Sequence, residues 1–149
     1  MPHGRYKTPL ICDENNLGEV NRILQGVDIF QGSFEHVGKD LQNERVFYYL
    51  DPPYRPMFEE GKIFTMYDRT GFNDTHQKCL KQMCDYINDR GWHFMLSNSD
   101  SITKDGESYF ENLYNAYYIS RIEVTRFINP GDVSIRRPKE VLITNYKTV

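Results

Sequence analysis

The chain has 149 residues, 39% hydrophobic, 26% charged and 14% aromatic with 11 Tyr, a balance that fits one folded domain and argues against disorder. A formal net charge of -3 excludes a protein that coats nucleic acid nonspecifically through many Lys and Arg side chains, so any contact with DNA must be local. No apolar stretch is long enough to span a bilayer, and Met1-Pro2-His3-Gly4-Arg5-Tyr6-Lys7 has no hydrophobic signal core, so a cytoplasmic protein without membrane contact is expected.

In chain order, Asp13 is placed to cap a helix running to about Gln25, with Leu17, Val20 and Leu24 on one face and Gly26 ending it. Val27 to Phe30 reads as a short strand. Val46-Phe47-Tyr48-Tyr49-Leu50 is a continuous apolar run that suits a strand buried on both faces of a parallel sheet, and it ends directly in Asp51-Pro52-Pro53-Tyr54. The segment from there to Phe72 has no sustained period and reads as a functional loop. Asp74 with Gln77 resembles a capping box, Leu80, Met83, Cys84 and Ile87 repeat at helical spacing, and Gly91 closes that helix. Trp92 to Leu96 is a second buried strand leading into Ser97-Asn98-Ser99-Asp100. A short helix at Tyr109 to Leu113 precedes strands at about Ala116 to Arg126 and Glu140 to Tyr146, joined through Pro130-Gly131-Asp132 and suited to antiparallel pairing. The alternation predicts an α/β domain with a largely parallel sheet, whose ligands sit at the C-terminal ends of strands. Both polar motifs fall there.

The cysteines Cys12, Cys79 and Cys84 form no CxxC pair, which points to reduced side chains and no metal site. Arg5 with Lys7, and Arg136 and Arg137 with Lys139, are candidates for a local DNA contact, although on charge alone each reads better as a solvated face.

Asp51-Pro52-Pro53-Tyr54 has the chemistry to hold an aromatic amine. An exocyclic amino group conjugated to a purine is a poor nucleophile, because its lone pair is delocalised. Accepting its two N–H hydrogens on the Asp51 carboxylate and the Pro52 carbonyl pulls the nitrogen toward tetrahedral geometry, while Tyr54 stacks on the ring. A base reaches such a pocket only after leaving the duplex, at a cost of a few kcal/mol, and stacking on an aromatic ring returns about 1–3 kcal/mol. An isolated Asp-Pro is most often a capped turn, but the full tetrad after a buried strand favours the functional reading.

At these residues the chain resembles the Dam-type adenine-specific DNA methyltransferases. Pro2-His3-Gly4-Arg5-Tyr6-Lys7 is similar to the family's Pro-Phe-Gly-Arg-Tyr-Lys at the end of its target recognition region, with His3 in place of Phe. Ile29 to Val37, with Gly32-Ser33-Phe34, is similar to the segment before the catalytic strand. Phe64-Thr65-x-Tyr67 and Gly71-Phe72 resemble the loop after it, and Ser97-Asn98-Ser99-Asp100 the next strand-end motif. Arg126-x-Ile128-Asn129 and Glu140-Val141-Leu142-Ile143-x-Asn145-Tyr146 resemble the closing strands. The matches run in family order over essentially the whole chain.

The resemblance implies methyl transfer from S-adenosylmethionine to N6 of a flipped-out adenine in double-stranded DNA. Asp51, Pro52, Pro53 and Tyr54 would form the catalytic motif, with Asp51 also beside the amino-acid moiety of the donor. Pro2, Arg5, Tyr6 and Lys7 would contact DNA, and the likeness around Arg5 points to GATC or a related target. The implied fold is part of a Rossmann-like class I S-adenosylmethionine-dependent methyltransferase sheet, mostly parallel with an antiparallel C-terminal strand pair. Residues 1–12 would end the recognition region and 13–149 would form the C-terminal catalytic part.

The family's glycine-rich donor-binding loop has no counterpart, since no G-x-G follows a strand. The isolated chain is therefore expected to be inactive, with an N-terminal methyltransferase half as a partner. The edge of the strand ending at Leu50 would then lie open and recruit another strand, giving self-association. The alternative reading is a noncatalytic DNA-binding or complementing module. Methylation of cytosine N4 is disfavoured, because the Asp form of the tetrad is the usual adenine version.

Overall fold

The computed structural model describes residues 12–39, 41–42, 45–56, 71–124 and 139–148. The chain divides into two compact units, Met1–Ser33 and Phe34–Val149. The expectations for Pro2, Arg5, Tyr6 and Lys7, for Phe64 to Tyr67, for Arg126 to Asn129, for the Pro130 connection and for Arg136 and Arg137 lie outside the described residues.

In the first unit, helix α1 spans Glu14–Leu24, and the Asp13 side chain accepts the Asn16 N–H at 3.0 Å, as the sequence predicts. The strand expected at Val27 to Phe30 does not form. The Val27 N–H instead turns back to the Leu24 carbonyl at 3.1 Å, and no strand pairs with this run among the described residues.

The second unit carries a four-stranded sheet: β1 (Phe47–Leu50), β2 (His93–Ser99), β3 (Tyr118–Glu123) and β4 (Lys139–Thr144), in the order β1-β2-β4-β3. β1 and β2 pair in parallel, with Tyr48 opposite Phe94, whereas β4 is antiparallel to both of its neighbours. β1, β2 and β3 therefore run one way and β4 runs against them. The expected antiparallel pairing of the last two strands is present, but the largely parallel sheet is mixed in its pairing, because β4 inserts between β2 and β3 instead of extending an edge.

Helices α2 (Asp74–Asp89) and α3 (Tyr109–Leu113) supply the other half of the core. Leu80, Cys84 and Ile87 of α2, with Phe110 and Tyr114, pack against Tyr48, Phe94, Leu96, Val141 and Ile143, which the strand period of two turns to one face of the sheet. Burying each large aliphatic side chain here contributes about 1.5–3 kcal/mol before entropy is counted. The α2 cap sits one residue earlier than predicted. Asn73 accepts from Thr75 and His76 N–H, and the His76 ring returns to the Asn73 N–H, so Asp74 is the first helical residue and Gln77 is a buried interior side chain.

β1 does not have both faces buried. Phe47 and Tyr49 are 56% and 61% exposed while Tyr48 is buried, because the helices cover only the Tyr48 face of the strand among the described residues. Gly38 makes the close packing of Tyr48 possible. Its φ of +73° favours glycine, and a Cβ there would overlap the Tyr48 hydroxyl.

Candidate functional site

β1 ends at Leu50, and the segment Asp51 to Pro56 then passes across the C-terminal end of β2. The pairing sets what it meets there. Ser97 and Ser99 lie on one face of β2, with Glu140 of β4 opposite Ser99, and Asn98 lies on the helix-covered face. β2 runs through Ser99, so the Ser97-Asn98-Ser99 motif forms the last residues of the strand instead of following it.

Each of those side chains holds the crossing segment. The buried Ser97 hydroxyl donates to Asp51 Oδ1 at 2.9 Å, and the Tyr49 hydroxyl stands 3.5 Å from the same Ser97 oxygen. Asn98 Oδ1 accepts the Arg55 N–H and the Ser99 N–H, both at 2.9 Å. The Ser99 hydroxyl donates to the Arg55 carbonyl, and Ser101 donates to the Pro56 carbonyl at 2.8 Å. Asp100 faces elsewhere, accepting from Arg121 of β3 at 2.9 Å and closing the strand end as a structural ion pair.

Arg55 anchors the segment from the other side. It is 7% exposed, and its guanidinium donates to the Asp74 carboxylate in the first turn of α2 at 2.8 and 3.2 Å and lies 4.0 Å from the Tyr109 ring centroid at the start of α3. The buried guanidinium is tolerated because carboxylate and ring meet it together.

Tyr54 is half-buried, and its hydroxyl donates to Glu140 Oε2 at 3.3 Å. Burial raises its pKa, the Ser97 hydroxyl works against that rise, and the Glu140 and Asp51 carboxylates add to it. The phenol thus stays protonated at neutral pH and keeps its proton on Glu140.

The arrangement leaves two acceptors unused. Asp51 is exposed, and only one of its carboxylate oxygens accepts a hydrogen bond among the described residues. The Pro52 carbonyl oxygen accepts none among them. The predicted tetrad therefore sits at a strand end with a carboxylate oxygen and an adjacent carbonyl unengaged among the described residues and a tethered aromatic ring two residues on. Sequence reasoning missed Arg55, Ser101, Tyr109 and Glu140. The alternate hydroxyls at Ser97, Ser99 and Ser101 were a readable sign of a polar strand edge with something polar to hold.

The description "D12 class N6 adenine-specific DNA methyltransferase" matches residues 1–128 of this chain. The chain is 38% identical over 147 residues to the type II methyltransferase M.MjaIII of Methanocaldococcus jannaschii, covering 98% of this chain and 48% of that protein. It is 34% identical over 148 residues to the type II methyltransferase M1.LlaDCHI of Lactococcus lactis subsp. cremoris, covering 98% and 49%. The chain spans about half the length of these curated relatives.

Proposed function

The chain belongs to the D12 class N6 adenine-specific DNA methyltransferases, and from that premise we propose that it supplies the amine-handling wall of a site that methylates N6 of an adenine turned out of double-stranded DNA. The observation that carries this reading is the pair of acceptors, the second Asp51 carboxylate oxygen and the Pro52 carbonyl, that are unengaged among the described residues at the C-terminal end of β1. Those two atoms take the two N6–H hydrogens. The nitrogen lone pair, otherwise delocalised into the purine, is then drawn toward the direction in which a methyl group arrives.

Tyr54 offers its ring face to the extruded base, and its tether to Glu140 restrains the ring before the base arrives. Base stacking on such a ring returns about 1–3 kcal/mol, enough to offset much of the cost of extrusion. The strand order, with β4 reversed between β2 and β3, supports reading this sheet as part of a Rossmann-like class I methyltransferase sheet.

S-adenosylmethionine, when bound, supplies an electrophilic methyl group. Asp51 fits beside the amino-acid end of that donor, since the charge of an exposed carboxylate suits an ammonium group while its second oxygen accepts from the target amine. The sequence has no G-x-G loop to cradle the remainder, so the fit of this chain to the donor is confined to that end. Pro2, Arg5, Tyr6 and Lys7 are proposed to read the DNA, where one Arg forked onto guanine contributes about 1–3 kcal/mol of discrimination.

Calorimetric titration of S-adenosylmethionine into the purified protein, with Asp51→Ala as control, tests the donor assignment. Micromolar binding abolished by the substitution supports it. Binding that survives Asp51→Ala counts against it.

A further inference from the structure

Asp51 is exposed, so packing does not fix its side chain; the one hydrogen bond it accepts among the described residues comes from Ser97. We propose that Ser97 is a positioning residue, whose hydroxyl holds the Asp51 carboxylate by Oδ1 so that the other oxygen is presented to the target amine. This rests on the reading of Asp51 as an amine acceptor.

The geometry singles out Ser97 for three reasons. Its Oγ is 2.9 Å from Asp51 Oδ1, and the residue is 3% exposed, so water competes little for that bond. Its backbone is held near the end of β2 by pairing opposite Leu142 of β4, which makes it a rigid mount for an exposed carboxylate. A hydroxyl has one proton, and with that proton on Asp51 the Ser97 oxygen acts toward its other neighbours, Tyr54 and the Tyr49 hydroxyl 3.5 Å away on β1, as an acceptor. The direction of donation is therefore Tyr49 to Ser97 to Asp51.

Ser97 does not touch the substrate in this account. Its loss should act on the rate of transfer and not on the affinity for DNA. In Ser97→Ala, the three-bond couplings about the Asp51 Cα–Cβ bond should change from single-rotamer to averaged values, and with an N-terminal methyltransferase half supplied the rate of methyl transfer should fall about 10- to 100-fold at unchanged KM for DNA. Ser97→Thr, which keeps the hydroxyl, should restore both readouts. Ser97→Cys, of similar size with a weaker donor, should fall between them and serves where Ser97→Ala does not fold.

A single Asp51 rotamer in both Ser97→Ala and Ser97→Cys would overturn the proposal, as would an unchanged transfer rate in both. A parent protein that transfers no methyl group even when an N-terminal methyltransferase half is supplied, while Asp51 keeps one rotamer only when residue 97 bears a hydroxyl, would refute the function proposed above and uphold the positioning contact.

Discussion

Arg55→Met removes the guanidinium that links the Asp51 to Pro56 segment to both helices while keeping much of the apolar stem. Asp74 is 51% exposed and rehydrates when its partner leaves, so the ion pair contributes nearer about 1 kcal/mol than the 3–5 kcal/mol of a fully buried pair. The guanidinium over the Tyr109 ring is 4.0 Å from its centroid and largely dry, which adds about 1–2 kcal/mol. The sum, about 2–3 kcal/mol, corresponds to a fall in melting temperature of roughly 5–10 °C for a chain of this size. Urea unfolding with an unchanged slope measures it. A double-mutant cycle with Asp74→Asn should return a coupling of about 1 kcal/mol that shrinks as salt is added. A loss below about 1 kcal/mol, or zero coupling at low salt, would refute the assignment of Arg55 as the anchor.

Three other perturbations probe the rest of the structure. Gly38→Ala should destabilise by about 2 kcal/mol or more, through strain at positive φ and overlap with Tyr48, and adding Tyr48→Phe should recover part of that loss in thermal unfolding. Asn98→Ala leaves the Arg55 N–H without its acceptor and should cost about 1–3 kcal/mol in chemical unfolding; an unchanged midpoint would mean that another group replaces the amide. Burial pushes the Cys84 thiol up to about 12, with the Tyr114 hydroxyl beside it opposing the rise, Asp85 adding to it and Lys81 opposing it. The unfolded chain therefore releases this proton near pH 9 while the folded chain retains it. The contribution is fully present below pH 9 and declines as pH rises toward 12. Cys84→Ala should flatten the loss of stability between pH 9 and 11, measured by unfolding at each pH, and in the parent protein thiol reagents should label exposed Cys12 well before Cys84.

Local signals carried α2 and α3 into the structure almost residue for residue, because amphipathic spacing and side-chain caps act within a few positions. The α2 cap shifted by one since Asn73 and Asp74 are both capable caps and the return contact comes from a His ring, which resembles no usual capping box. Tertiary position was less legible. A run of Phe and Tyr hides the alternation of an edge strand, as at Phe47 and Tyr49, and no local period announces that β4 inserts between β2 and β3. Val27 to Phe30 has strand composition but no strand pairs with it among the described residues. At the site, the tetrad was readable from its chemistry, whereas Arg55 looked like one more loop charge. Only the fold brings it to Asp74 and Tyr109, residues 19 and 54 positions away.

The central claim is that Asp51 and Pro52 handle the N6 amine of adenine. Duplex DNA incubated with S-adenosylmethionine and the protein, complemented by an N-terminal methyltransferase half that carries a glycine-rich donor loop, then digested to nucleosides and analysed by mass spectrometry, tests it directly. N6-methylated adenine is the expected product, lost in Asp51→Ala. N4-methylated cytosine, or undiminished adenine methylation by Asp51→Ala, would contradict it.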